Sequence, residues 1–228
     1  MTEVFAHRGA HRIERENTLG AFRVANDIGV DGVELDVRRT FDGTLVIHHD
    51  PRIDGRVIAD IDAANLPPYV AHFDEAMVVM GGLRVNVEIK NSRDPGEPTY
   101  DDTGTIEREV VDYLRSEGLI STVTVSCFDM ATCDRVRTVA PDLDVAWLIS
   151  RGSLSVALAV AAEHGFGAVN PRYSMVTAEG VRRADELGLA LNVWTVNRAS
   201  DLMAMKALGV KSVITDEPEL ALDLFRDT

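Results

Sequence analysis

Short apolar runs rich in β-branched residues alternate with stretches of helical periodicity along most of the chain. Nine runs read as strands: Val4 to His7, Gly32 to Arg38, Thr44 to His49, Leu83 to Lys90, Thr122 to Cys127, Asp144 to Ile149, Ala168 to Asn170, Leu191 to Val196 and Ser212 to Thr215. Helical spacing fits Thr18 to Ile28, His72 to Met80, Ile106 to Glu117, Ala131 to Val139, Leu154 to His164, Ala178 to Leu187 and Ala199 to Leu208, with Glu219 to Phe225 at the end. Asn17 or Thr18 can N-cap the first helix, and Gly29, Gly118, Gly165, Gly188 and Gly209 fall where C-cap glycines are expected.

Alternating βα units imply a parallel sheet, and parallel neighbours need a crossover of about a dozen residues. The connection from Arg38 to Thr44 is too short for one, so these two runs form an antiparallel hairpin turning at Asp42-Gly43. Without the return strand, eight βα units remain. Eight units in 228 residues predict an α/β fold: a single (β/α)8 TIM barrel spanning 1–228, with a β-hairpin excursion after the second strand. An open doubly wound sheet fits less well, because the first βα turn, His7-Arg8-Gly9, lacks a glycine-rich dinucleotide fingerprint.

Composition narrows the class. The chain is 46% hydrophobic and 26% charged, as in ordinary globular enzymes, and its net charge is −14. That charge argues against a nucleic-acid surface and against docking on anionic membranes. It leaves room for one bound phosphate, since a local cation can dominate a small site. Cys127 and Cys133 are too few for a disulfide framework. No apolar run approaches about 18 residues and no leader precedes the first strand, so a cytoplasmic setting is expected.

Active sites of such barrels lie at the C-terminal strand ends, and inward and outward side chains alternate. Val33, Leu35 and Val37 suit the helix-facing side, which turns Glu34 and Asp36 inward; Asn86, Glu88 and Lys90 alternate likewise. Carboxylates sharing a low-dielectric mouth need a cation to ionise together. Glu34, Asp36 and Glu88 therefore suit a hard divalent ion, Mg2+ or Ca2+, while inward salt bridges with Lys90 and Arg38 are the alternative. A two-residue loop at Asp42-Gly43 would pair Asp36 with His49 and Val37 with His48, setting His49 on the acidic face; a one-residue bulge at Gly43 would reverse this. His7 ends the first strand beside Arg8. Two histidines near a metal and an arginine suit phosphoryl chemistry. His11, His72 and His164, in a loop and on helices, read as solvated surface. Ser126 and Cys127 have no activating base in the sequence, and Cys127 reads as buried and inert. Trp194 can be core or a substrate wall.

These residues, taken together, resemble the glycerophosphodiester phosphodiesterase family. The matching pieces are His7-Arg8-Gly9, Glu16-Asn17-Thr18, Gly32-Val33-Glu34-Leu35-Asp36-Val37, Thr40-Phe41-Asp42-Gly43, His49-Asp50-Pro51, Val87-Glu88-Ile89-Lys90, Ser126-Cys127-Phe128-Asp129, Val193-Trp194-Thr195-Val196-Asn197 and Ile214-Thr215-Asp216 with Pro218. They run in order through nearly the whole chain. The resemblance implies metal-dependent hydrolysis of glycerophosphodiesters to sn-glycerol 3-phosphate and an alcohol. It makes His7 and His49 the acid-base pair, and Glu34, Asp36 and Glu88 the metal ligands. It places Arg8 and Lys90 near the phosphate, Trp194 near the glycerol and Glu16 behind them, and it favours His49 over His48. The segment from Pro51 to Leu83 is shorter than in typical members and lacks their Leu-x-Arg-Thr-like stretch. A lysophospholipase D-type substrate on the same barrel, or a non-catalytic phosphodiester-binding module, are the rival readings.

Overall fold

The computed structural model describes residues 1–93 and 96–226. The chain begins with β1 (Glu3–His7), α1 (Leu19–Ile28) and β2 (Gly32–Arg39), followed by three short strands, β3 (Leu45–Ile47), β4 (Arg52–Ile53) and β5 (Arg56–Val57). Next come α2 (Phe73–Val79), β6 (Arg84–Ile89), α3 (Thr105–Ser116), β7 (Val123–Cys127), α4 (Met130–Val139) and β8 (Asp144–Ile149). The last third holds α5 (Leu154–Glu163), β9 (Ala168–Pro171), α6 (Ala178–Leu187), β10 (Ala190–Val193), α7 (Ala199–Leu208), β11 (Ser212–Thr215) and α8 (Pro218–Arg226). Eight parallel strands pair in the order β1-β11-β10-β9-β8-β7-β6-β2, and β1 pairs with β2 to close the ring. This is the expected (β/α)8 barrel.

Strand alternation explains the two cores. Val33, Leu35 and Val37 are fully buried against the helices, as are Val85, Val87 and Ile89 of β6. Each such side chain contributes about 1.5–3 kcal/mol by leaving water. The barrel interior is more polar than a typical one. Asn86 donates to Ser126 Oγ (3.0 Å), Asn170 to Asn86 Oδ1 (3.2 Å), Asn192 to Asn170 Oδ1 (2.9 Å) and Ser212 to Asn192 Oδ1 (2.8 Å). Side chains of five strands thus satisfy one another inside the barrel.

The hairpin is antiparallel as expected, but its register differs. Val37 pairs with Ile47, Arg38 with Val46 and Arg39 with Leu45, which sets His48, not His49, across from Asp36. The His48 N–H donates to the Asp36 carbonyl at 2.9 Å. The cause is the turn: Phe41, Asp42 and Gly43 form a three-residue loop in which Gly43 adopts φ 88°, and Thr40 N–H donates to Thr44 O at 3.0 Å. The extra residue is a bulge that left-handed glycine allows.

The shortened segment after Pro51 is structured. β4 and β5 form a ribbon turning at Asp54-Gly55, whose φ values of 50° and 78° are both left-handed. Two single-turn helices, Ile58–Asp60 and Ala63–Asn65, follow. Ile53, Ile58 and Val70 pack on Val46 as a small second core, with the Arg15 guanidinium 3.7 Å from the Tyr69 ring. Among the described residues no helix is long and apolar enough to cross a membrane.

Candidate active site

His7 is the last residue of β1, and the chain turns sharply after it. Arg8 and Gly9 both adopt left-handed backbone (φ 56° and 80°). A Cβ on Gly9 would lie 2.8 Å from the Ala21 backbone and side chain, so α1 packs there only against glycine. The left-handed Arg8 aims its N–H at Glu34 Oε2 (3.1 Å), while its guanidinium binds Glu16 (3.0 and 3.1 Å) and lies 3.3 Å from Asp36 Oδ2. Glu16 therefore stands behind Arg8.

Strand register gathers the acids. His7 lies beside Glu34 across the β1–β2 pair, and Asp36 beside Glu88 across β2–β6. Glu34, Asp36 and Glu88 are 4%, 1% and 9% exposed, and their oxygens lie within 4.8 Å of one another. Lys90 Nζ is 2.7 Å from Glu88 Oε1 and 3.4 Å from Asp36 Oδ1, and Asn17 donates to Asp36 Oδ2 at 2.8 Å. Asn17 can do so because Thr18, not Asn17, caps α1.

The acids share this environment unequally. Burial, then repulsion from Asp36 and Glu88, pushes the Glu34 carboxyl well above its ordinary range. Burial would also raise Asp36, but Lys90, Arg8, His49 and the Asn17 hydrogen bond outweigh it and hold Asp36 below the usual carboxylate range. Burial would lower Lys90, yet Glu88 and Asp36 keep its ammonium charged far into alkali. Lys90 and Arg8, the latter shared with Glu16, leave the three acids under-neutralised. An all-oxygen set with surplus negative charge fits a hard divalent cation. The salt-bridge alternative holds in part, through Lys90. Arg38 takes no share in it.

Arg38 is 5% exposed and turns to the hairpin's end. Its Nε donates to the His48 and His49 carbonyls (both 3.1 Å), its Nη2 to His49 O (2.5 Å) and its Nη1 to both Glu97 oxygens (3.0 Å). β3 has ended at Ile47, so this guanidinium replaces a sheet partner and presents His49 at the mouth. The His49 Nδ1 is 2.8 Å from Asp50 Oδ1, and the His48 Nδ1 is 2.9 Å from Asp50 O. His49 thus reaches the mouth by the chain's exit from the strand, not by the cross-strand pairing the sequence suggested.

His7, Arg8, Glu34, His49, Glu88, Lys90 and Trp194 line one cavity of about 170 Å³ with Phe128 and Leu148. Phe128 meets Trp194 edge to face at 5.5 Å, and the Trp194 indole donates to Asn170 O at 2.7 Å. Trp194 is therefore a wall of the mouth. A second cavity of about 220 Å³ adjoins it, sharing His49, Glu88, Lys90 and Phe128 and extending past Asp50 and Glu97. A larger hollow of about 670 Å³ near Met1, Lys206 and Lys211 brings together no comparable group of acids and histidines. Cys127 is buried, and burial pushes its thiol up to about 12.

The structure brings to the site residues to which the sequence reading gave no role. Asp216, just past β11, has Oδ1 2.6 Å from His7 Nδ1 and 2.9 Å from His11 Nε2, and Asn197 donates to its Oδ2 at 2.6 Å. His11 is therefore half-buried beside Asp216, not solvated surface. His7, His11 and Asp216 also lie close enough to hold an ion. Each carboxylate oxygen of Asp216 already has a nitrogen partner, so their closeness has an explanation without one. The available signal was Asp216's place at the C-terminal end of the last strand, where barrel chemistry resides.

Fold and mouth together define a barrel enzyme with its polar groups at the C-terminal strand ends. The chain belongs to the glycerophosphoryl diester phosphodiesterase family, whose sequence profile matches residues 7–220. A glycerophosphodiester phosphodiesterase from Caldanaerobacter subterraneus subsp. tengcongensis is 30% identical over 251 aligned positions, covering 99% of this chain and 98% of that protein. Among solved structures, a glycerophosphodiester phosphodiesterase from Parabacteroides distasonis superposes with a TM-score of 0.88 at 24% identity, covering 99% of this chain and 97% of that one. A phosphodiesterase from Oleispira antarctica, solved with the product sn-glycerol-3-phosphate, gives 0.86 at 19% identity, covering 99% and 97%. At these identities the two structures speak for the fold.

Proposed function

We propose that this protein hydrolyses glycerophosphodiesters to sn-glycerol 3-phosphate and an alcohol, with His7 and His49 as general base and acid. The observation that carries the reading is one small cavity lined by both histidines, two of the three clustered acids, Arg8 and Lys90. Glu34, Asp36 and Glu88 would hold the divalent cation, Mg2+ or Ca2+, which when bound supplies positive charge to the phosphate oxygens.

The chain's own residues account for the rest. Arg8 and Lys90 bring positive charge to a phosphodiester in the mouth, and the Phe128–Trp194 pair offers an apolar wall to the glycerol carbons. His7 takes the proton of the glycerol 2-hydroxyl, which attacks phosphorus in line. His49, beside the adjoining cavity, gives its proton to the departing alcohol. Water then opens the cyclic phosphate with the two roles exchanged. A small soluble substrate and a cytoplasmic setting suit the acidic surface and the two unpaired, buried thiols.

A panel of glycerophosphodiesters, assayed after EDTA and after adding back each metal, tests the reading. Choline release from glycerophosphocholine well above that from lysophosphatidylcholine is expected. The reverse order would assign the chain a lysophospholipase D-type activity, and binding without turnover in saturating Mg2+ and Ca2+ would sink both.

A further inference from the structure

We infer that Asp216 is the positioning residue of the mouth: clamped by Asn197, it holds His7 in the tautomer whose Nε2 is free to accept a proton. This rests on the proposed role of His7 as base and adds what fixes that role. β1 and β11 are the first and last strands of the barrel and pair in parallel, with Ala6 opposite Thr215. The next residue on each is His7 and Asp216, so closing the barrel brings ring and carboxylate together.

The chemistry of the contact is one-sided. An ionised carboxylate only accepts hydrogen bonds. The 2.6 Å contact from His7 Nδ1 to Asp216 Oδ1 therefore puts the proton on Nδ1. The other nitrogen, Nε2, faces the acidic group, 3.9 Å from Glu34 Oε2. Asp216 cannot swing away. Its Oδ2 accepts from Asn197 Nδ2 at 2.6 Å, its own N–H donates to Asn197 Oδ1 at 2.9 Å, and the Thr215 hydroxyl donates to the same Oδ1 at 3.3 Å. The amide fits the carboxylate and its backbone at once, which leaves Oδ1 for the histidines. Burial disfavours the ionised Asp216, but the bonds from His7 and Asn197 and the nearby His11 outweigh this and keep the carboxyl charged well below the usual range.

His49 has no equivalent. Its Nδ1 also meets a carboxylate, but Asp50 is 71% exposed and, among the described residues, nothing holds it comparably. The asymmetry orders the roles: the histidine with a locked tautomer is the base of the first step, and the one beside the adjoining cavity is the acid.

The test uses the Mg2+-loaded protein labelled with 15N-histidine. The His7 resonances, assigned by their loss in His7→Ala, should show a protonated Nδ1 and an unprotonated Nε2. In Asp216→Asn the amide can turn its NH2 towards the ring, and the pattern should reverse. Turnover of glycerophosphocholine by Asp216→Asn should fall about 10²-fold or more in kcat, with KM within about threefold. Asp216→Glu, which keeps the acceptor, should recover part of the loss. A neutral His7 carrying its proton on Nε2 in the parent protein overturns the inference even if the variants fail to fold. So does an Asp216→Asn protein with parental kcat while His7→Ala is inactive. If His7→Ala itself keeps parental activity, the assignment of His7 as base fails instead, and the 15N spectra still decide whether Asp216 sets its tautomer.

Discussion

The two histidines of the mouth reach the same cavity but are held in different ways. His7 ends a barrel strand, and its ring is gripped by a half-buried carboxylate that Asn197 immobilises. His49 lies beyond the end of a hairpin strand. It is held through its backbone by Arg38, and its ring meets the exposed Asp50. One residue has its ring fixed; the other has its chain fixed and its ring at the edge of solvent. A group that must present one lone pair at a constant position gains from the first arrangement. A group that hands a proton to alcohols of varied size gains from the second.

The largest expected effect separates the two directly. Either His7→Ala or His49→Ala should lower kcat on glycerophosphocholine by about 10²–10⁴-fold. On a glycerophosphodiester whose leaving alcohol is as acidic as p-nitrophenol, protonation is no longer needed, and His49→Ala should recover most of its loss while His7→Ala does not. Equal recovery in both variants would erase the distinction.

Next is the backbone clamp. Arg38→Met leaves Glu97 buried without its partner and should cost about 3–5 kcal/mol in urea unfolding. Arg38→Met combined with Glu97→Met should regain most of that stability. Its kcat should stay at least about tenfold low, because the His48 and His49 carbonyls remain untied. Full activity in the stable double variant would show that Arg38 serves stability alone.

The metal-free protein gives a smaller, pH-dependent effect. Glu34 is raised in the fold, so its contribution to stability is present below 4.5 and is lost as pH rises through its folded value. A cation needs Glu34 ionised. The stability gained on adding Mg2+ or Ca2+, read by thermal unfolding, should therefore grow as pH rises above 4.5, reaching about 2.7 kcal/mol at free metal a hundredfold above Kd. Asp36 and Asp216 carry the opposite sign: their contribution is present above 3.8 and lost as pH falls. A metal increment independent of pH would count against Glu34 as a ligand. Smallest of all, Asp50→Ala should change stability by no more than about 0.5 kcal/mol and kcat by less than about tenfold, since Asp50 is exposed and anchors nothing buried.

What could be read in the sequence divides along the same line. The barrel was legible because Val33, Leu35 and Val37 alternate with Glu34 and Asp36, and because the hairpin connection is too short for a crossover. The hairpin register was not. Asp42-Gly43 suits both a two-residue turn and a three-residue loop with a glycine bulge, and the two differ by one residue in every pairing. In the next connection, Asp54-Gly55 was a usable hairpin signal, but strands of two residues leave no alternation to read. Asp216 and His11 were missed for another reason. The contacts of Asp216 with His7 and His11 arise when the last strand closes on the first, about 200 residues away along the chain. The alternative to a metal made Arg38 an inward partner of the acids, and the end of β3 at Ile47 shows why it turns to the His48 and His49 carbonyls instead.

The most direct measurement is glycerophosphocholine turnover by His49→Ala, shown to be folded by circular dichroism and loaded with Mg2+ or Ca2+. The account predicts that the parent protein releases sn-glycerol 3-phosphate and choline while the variant is slower by at least about 10²-fold. A folded, metal-loaded His49→Ala protein working at near the parent rate would contradict it.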